Sequence, residues 1–153
     1  MQSARTKIDV SIRDQRLTLT RDGEVLRSFS VSSSRFGIGA EEGSMKTPLG
    51  RFRIAEKIGD GAAPGTIFKA RVALGPDDSL PETEDLITSR ILWLDGLDEH
   101  NANTRDRFIY IHGTKHEDEI GIPASHGCIR MRNADVIELF ELVDETTQVV
   151  IRE

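Results

Sequence analysis

The chain has 153 residues, 37% of them hydrophobic and 30% charged, with a formal net charge of −6. That length and hydrophobic share exclude a disordered chain and lead to the expectation of one domain, residues 1–153, with a core of its own. The acidic balance excludes a nucleic-acid partner held by phosphate contacts, which needs a basic face, and no run of about 18 apolar residues is present to span a membrane.

In chain order, Ile8, Val10 and Ile12 alternate with polar residues at the period of a half-buried strand, and Leu17 and Leu19 repeat the pattern. Asp22-Gly23 suits a two-residue turn in which both residues take positive φ, so Glu24–Val31 is expected to return as the other arm of a hairpin. Gly37-Ile38-Gly39-Ala40-Glu41-Glu42-Gly43 mimics a dinucleotide-binding loop for four residues. Glu42 then stands where the third glycine belongs, and paired glutamates repel a pyrophosphate, so a plain connecting loop is expected. Lys46-Thr47-Pro48-Leu49-Gly50 reads as a turn into a strand at Arg51–Ile58. Further strands are expected at Thr66–Ala73, Arg90–Leu94, Arg107–Ile111 and Gln148–Arg152. Gly75 to Thr88 holds Pro76 and Pro81 among acidic residues and is expected to be an exposed segment, the start of an acidic loop or insertion near 75–106. One helix is predicted, capped by Asn133, with Val136, Ile137, Leu139, Phe140 and Val143 on one apolar face. These elements define a mostly β fold, a sandwich with one main α-helix near the C-terminus.

The single cysteine, Cys128, follows His126 and Gly127, and His112 ends the apolar run Phe108-Ile109-Tyr110-Ile111. A thiol is a strong nucleophile as the thiolate, and an imidazole can generate and hold that form. The bland alternative is a buried cysteine acting as a small hydrophobe. Gly127 favours the reactive reading, because it permits a tight turn and close approach, and its N–H with that of Cys128 can face a developing oxyanion. Arg130 has two readings, a bidentate grip on a substrate carboxylate or an ion pair with one of the many acids; Arg132 reads as solvated rim. A metal held by His112, His126, Cys128 and an acid from Glu117-Asp118-Glu119 is the competing reading. Gly113 and the β-type run argue against a helical His112/His116 pair, and no paired zinc framework is present, so neither metal nor cofactor is expected. His100 and His116 are expected at the surface. One cysteine allows no intramolecular disulfide, which leaves the compartment unread. Met1 to Lys7 has no apolar segment behind its charges, which fits a cytosolic chain or one whose targeting segment was left off.

Ile111-His112-Gly113-Thr114, followed by Ser125-His126-Gly127-Cys128-Ile129-Arg130-Met131, resembles the active-site signature of the L,D-transpeptidase catalytic domain, the YkuD-type family. Thr47-Pro48-Leu49-Gly50-Arg51-Phe52 resembles a second family stretch, and Asn133-Ala134-Asp135-Val136 with Thr147–Ile151 resembles its closing helix and strand. Asparagine stands at the position of Arg130 in many members and arginine in others. The resemblance implies a cysteine acyltransferase acting on peptidoglycan stem peptides, both donor and acceptor. Cys128 would attack the carbonyl of the donor's third residue and release D-alanine, with His112 as base and then acid. A backbone carbonyl of Gly113 or Thr114 would orient His112, and the N–H groups of Gly127 and Cys128 would hold the oxyanion. Ser125, His126, Thr114 and Arg130 would contact or position the substrate. Covalent inhibition by carbapenem-type β-lactams and a place in the cell envelope are implied as well. The rival readings are an L,D-carboxypeptidase or endopeptidase on the same scaffold, where water takes the thioester, and a non-catalytic peptidoglycan-binding module.

Overall fold

The computed structural model describes residues 5–74 and 86–153. Ten strands carry it: β1 (Thr6–Ser11), β2 (Arg16–Arg21), β3 (Glu24–Ser32), β4 (Gly50–Ile58), β5 (Ile67–Lys69), β6 (Val72–Ala73), β7 (Ile87–Gly96), β8 (Tyr110–Gly113), β9 (Ile129–Met131) and β10 (Gln148–Arg152). Among the described residues a single α-helix, α1 (Asn133–Leu142), is present and joins β9 to β10. The strands run in the order β4-β10-β1-β2-β3-β9-β8-β7-β5-β6, and a further pairing of β4 with β7 closes the sheet on itself. The mostly-β, one-helix expectation therefore takes the form of one continuous sheet folded around its core. The pairs β1–β10 and β8–β9 are parallel; the other ladders are antiparallel.

Alternation decides which face each residue takes. Ile8 and Val10, Leu17 and Leu19, Phe52 and Ile54, Leu92 and Leu94, Ile129 and Met131, and Val149 and Ile151 all turn inward to one buried cluster. Each such side chain contributes about 1.5–3 kcal/mol by leaving water. Helix α1 lays Val136, Leu139 and Phe140 on that cluster, while Ile137 stays half-buried. Lys57 closes the helix by donating to the Val143 carbonyl at 2.8 Å, a cation where the helix dipole favours one.

Asp22 and Gly23 adopt φ of 51° and 84°, the turn expected of that dipeptide. Several boundaries differ from the sequence reading. Thr66–Ala73 is two short strands, β5 and β6, broken by Ala70 and Arg71, both at positive φ. The strand expected at Arg107–Ile111 starts only at Tyr110, because residues 102–108 form turns that end at Phe108 with φ of 56°. Residues 75–85 of the expected acidic insertion lie outside the described residues. Within the rest of that stretch β7 fills Ile87–Gly96, with Thr88, Ser89, Ile91, Leu92 and Leu94 wholly buried, and turns follow it. Asn133 is not the helix cap. The cap position is Arg132, and the Asn133 side chain crosses to Thr88, Ser89 and Thr114 instead.

Candidate active site

The site grows from the parallel pair β8–β9. Ile111 and Ile129 face the core, so their neighbours face outward. The register sets Ile111 beside Ile129 and His112 beside Arg130, which aligns Tyr110 with Cys128. Tyr110, His112, Cys128 and Arg130 thus share one outer face, with His112 diagonal to Cys128. Such diagonal neighbours lie about 7–8 Å apart at the backbone, within reach of an imidazole.

The sulfur of Cys128 lies against the backbone entering β8. Tyr110 N–H donates to Sγ at 3.3 Å, and Sγ–H donates to the Phe108 carbonyl at 3.4 Å. An N–H aimed at sulfur favours the thiolate. The cysteine is half-buried at the edge of a second apolar cluster formed by Phe68, Ile91 and Tyr110 with Trp93.

His112 is buried, and its Nδ1 lies 2.5 Å from the Gly113 carbonyl. A carbonyl only accepts, so Nδ1 carries the proton and Nε2 presents a lone pair. Gly113 has no room for a side chain: a Cβ there would stand 2.5 Å from the Thr88 carbonyl and 2.7 Å from Asn133 Oδ1. Asn133 braces this segment from below. Its Oδ1 accepts from Thr88 and Ser89, and its Nδ2 donates to the Thr114 carbonyl at 3.1 Å. Glu117 Oε2 accepts from the Asn133 N–H at 3.2 Å, which places a carboxylate at the N-terminus of α1.

The loop before Cys128 is pinned from two sides. Ser125 Oγ accepts from Gly127 N–H at 3.2 Å and donates to the Cys128 carbonyl at 2.6 Å. Thr47 Oγ1 donates to the Gly127 carbonyl at 3.0 Å and accepts from Ser34 N–H at 3.0 Å. A trans peptide points its C=O and N–H in opposite directions. The Cys128 N–H therefore faces away from Thr47. Gly127 takes φ of 127°, a conformation that L side chains rarely adopt.

Several expected roles change. Ser125 and Thr114 are wholly buried, so they offer a ligand no surface; they hold the backbone on which Cys128 and His112 sit. The Gly127 N–H donates to Ser125 Oγ in this structure. Arg130 is buried with Nη1 3.6 Å from Glu119 Oε2, the ion-pair reading made at the side of His112. His126 stands at the rim, where Arg35 Nη2 donates to its Nε2 and Phe36 lies 5.9 Å from its ring. His116 keeps a third of its side chain exposed and lies 3.9 Å from Glu119. His100 is exposed and contacts the Leu49 carbonyl at 2.9 Å. Among the described residues no group of three or more His, Cys, Asp or Glu side chains is placed to hold a metal.

Three participants escaped the sequence reading: Thr47, Asn133 and Arg107. Thr47 looked like a turn residue and Asn133 like a cap. Arg107 was assigned to a strand. It instead leaves the turn before β8 and donates to the Lys46 carbonyl at 2.8 Å. Burial holds its guanidinium below the usual arginine range, while the charges of Cys128 and Glu41 pull it back up. The same burial pushes the Tyr110 phenol up, opposed by the hydrogen bond from Arg71.

A thiol, a buried imidazole oriented by a backbone carbonyl and a tightly pinned glycine loop make up the kind of site in which cysteine acyl transfer is performed. The YkuD model, the L,D-transpeptidase catalytic domain, matches residues 5–151, and the chain belongs to that family. It is 29% identical over 144 residues to the putative L,D-transpeptidase YkuD of Bacillus subtilis, covering 94% of this chain and 64% of that protein. A 52-residue stretch, 33% of this chain and 30% of the relative, is 44% identical to the putative L,D-transpeptidase YqjB of the same organism. The chain thus spans less than two thirds of these relatives. The fold is shared with L,D-transpeptidase 3 of Mycobacterium tuberculosis in complex with a faropenem-derived adduct, at a TM-score of 0.65 and 18% identity over 99% of this chain and 61% of that one. It is shared equally with an L,D-transpeptidase from Xylanimonas cellulosilytica, at a TM-score of 0.64 and 20% identity over 99% of this chain and 62% of that one. No helix among the described residues is long and apolar enough to cross a membrane.

Proposed function

We propose that this chain is a cysteine-dependent L,D-transpeptidase acting on peptidoglycan stem peptides in the cell envelope. The observation that carries the reading is the shared outer face of β8 and β9, with Cys128 diagonal to a His112 whose Nδ1 is tied to the Gly113 carbonyl. His112 Nε2 takes the thiol proton, and the thiolate attacks the carbonyl of the donor's third residue. The carbonyl oxygen becomes an oxyanion facing the Cys128 N–H. Collapse breaks the bond to D-alanine, which leaves with the proton held by His112. The thioester then passes to an amine of an acceptor stem, whose proton returns through His112, and the thiol is restored. Water in place of the amine would give the carboxypeptidase outcome. A structural neighbour, the L,D-transpeptidase LdtMt1 in complex with imipenem, supports a further expectation, acylation of Cys128 by carbapenems.

The test is incubation with a disaccharide-tetrapeptide, following protein and product masses. The expected result is an acyl-enzyme lighter than protein plus substrate by one D-alanine, followed by cross-linked dimers. Loss of D-alanine without dimers would replace transfer by hydrolysis. Absence of both adduct and product would sink the enzymatic reading.

Thr47 supplies a second test. Thr47→Val keeps the side-chain shape but deprives the Gly127 carbonyl of its donor, so the Cys128 N–H loses its aim. Removing an oxyanion donor typically costs about 100- to 1000-fold, and misaiming one is expected to cost about 10- to 100-fold in the acylation rate constant. KM should change little, and Thr47→Ser should restore most of the rate. A Thr47→Val enzyme that acylates at the parental rate would remove Thr47 from the mechanism.

A further inference from the structure

Beneath His112 lies a polar knot that the steps above do not use. Thr88 and Ser89 on β7 and Thr114 after β8 are wholly buried, and the half-buried side chain of Asn133, the first residue of α1, joins them. Thr88 Oγ1 donates to Asn133 Oδ1 at 2.5 Å, and Ser89 Oγ donates to the same oxygen at 2.6 Å. Asn133 Nδ2 donates to the Thr114 carbonyl at 3.1 Å. A carbonyl only accepts, so the amide nitrogen must face Thr114 and the amide oxygen the two hydroxyls. This one position is thus asked for an acceptor on one side and a donor on the other. An ionised aspartate lacks the donor, and an aliphatic side chain lacks both.

Strand β7 is bent to reach the knot. Its ladder with β8 shifts register between Thr88 and Ile91, and Ser89 in that bulge takes φ of 69°, a left-handed conformation unfavourable for a residue with a Cβ. Gly65 N–H donates to Ser89 Oγ at 2.9 Å, which leaves the hydroxyl proton for Asn133. Strain of this kind persists only where surrounding contacts over-determine it, and it concentrates at functional sites. The stretch of chain that the knot fixes is short. Thr88 is the β7 partner of Gly113, and Thr114 follows Gly113, whose carbonyl holds His112 Nδ1. Asn133 therefore grips both the strand neighbour and the chain neighbour of the group that orients the imidazole.

We propose that Asn133 is a positioning residue for His112, holding Thr88 and Thr114 so that the Gly113 carbonyl turns His112 Nε2 toward Cys128. This role rests on the transpeptidase reading and names what aims its base. Without the amide, the Thr114 carbonyl is a buried acceptor deprived of its donor, and the segment relaxes toward another. The Gly113 carbonyl, one peptide unit away, turns with it. A misplacement of about 1 Å in a catalytic group typically costs about 100-fold, even when no atom touching substrate has been changed.

Cys128 is the only cysteine, so alkylation by iodoacetamide reads the Cys128–His112 pair without a peptide. In the full chain carrying Asn133→Ala, the alkylation profile is expected to move up by about 0.5–1 pH unit, toward the ordinary thiol value. Acylation by the disaccharide-tetrapeptide should slow about 10- to 100-fold with KM little changed. The charged and titratable groups around the pair, Arg107, Arg130, His116, Glu117 and Glu119, are all retained in this variant. A double-mutant cycle decides whether Asn133 acts through His112. With His112→Asn already present, adding Asn133→Ala should move the profile no further, because the base it aims is gone. A brace that only supports the fold would lower the melting temperature and leave the profile in place, or shift it equally in both backgrounds. If Asn133→Ala does not fold, Thr88→Val carries the same measurement, since it keeps the side-chain shape and deletes one of the two hydroxyls, while Thr88→Ser keeps that hydroxyl. The expected result there is an upward shift in Thr88→Val and none in Thr88→Ser. An unmoved profile in folded Asn133→Ala, an undiminished shift in the His112→Asn background, or coincident profiles for Thr88→Val and Thr88→Ser overturns the positioning role. Mass spectrometry of the parental protein with the tetrapeptide separates the two levels. Acylation of the parental protein together with an unmoved Asn133→Ala profile fells the positioning role alone. A shift that depends on His112, without any acylation, fells the transpeptidase reading alone.

Discussion

Replacing Cys128 by alanine is expected to abolish acyl-enzyme formation altogether while the protein remains folded. The nucleophile is the only atom in the site able to form the thioester, so no partial activity should survive through another side chain. The stability cost is small because the residue is half-buried at the rim of the minor cluster rather than in the main core. Truncation removes one polarisable atom and leaves the Tyr110 N–H without its sulfur partner, together about 1–2 kcal/mol. A melting temperature lowered by a few degrees, with unchanged far-ultraviolet circular dichroism, would show that shape has persisted. Cys128→Ser separates geometry from reactivity, since a hydroxyl can occupy the same place yet scarcely ionises in this pH range. It too should give no acyl-enzyme on the assay timescale. Cross-linked product from either variant would contradict the cysteine mechanism.

How much of this was legible in the sequence depends on whether local pattern or long-range register carried the information. Alternation over Ile8–Ile12 and Leu17–Leu19, and the turn at Asp22-Gly23, are local, and the structure has strands and a turn there. Strand β9 was missed because Ile129–Met131 is three residues long and its middle position is a buried arginine, so no alternation of apolar with solvated residues can be read from it. The segment before β8 misled for a related reason. Arg107-Phe108 continues an apolar, β-prone run, but Phe108 sits at φ of 56° and ends a turn there. Asn133 has the chemistry of a cap, yet its side chain finds three partners on β7 and the His112 segment, and tertiary contacts outweigh the local preference. Within the site, Cys128 and His112 stood out as residue types, whereas Thr47 did not. It lies 80 residues from Gly127 along the chain, and only the closed sheet brings the two together.

Replacing His112 by asparagine is expected to lower kcat/KM for acylation by about 100- to 10,000-fold, the usual weight of a positioned general base. Asparagine is the informative choice, because its side-chain amide can still donate to the Gly113 carbonyl from nearly the place of Nδ1. What disappears is Nε2 alone, the lone pair which that hydrogen bond turns toward the thiol. The change is therefore aimed at proton transfer rather than at the packing between Ile91 and Arg130 that the register gives this residue. The pH dependence of Cys128 alkylation by iodoacetamide reads the effect without any peptide substrate. A neighbouring base lets the thiol ionise at lower pH, so its loss should move the alkylation profile upward, toward the ordinary thiol value of about 8.5. Arg107 and the Tyr110 N–H remain in the variant and keep part of the electrostatic support for the thiolate. The shift should accordingly stop short of a free cysteine's profile, and a second replacement, Arg107→Gln, should carry it further. An alkylation profile that does not move in His112→Asn, with acylation lost all the same, would leave His112 with leaving-group protonation alone. An unchanged profile with unchanged acylation would remove it from the chemistry.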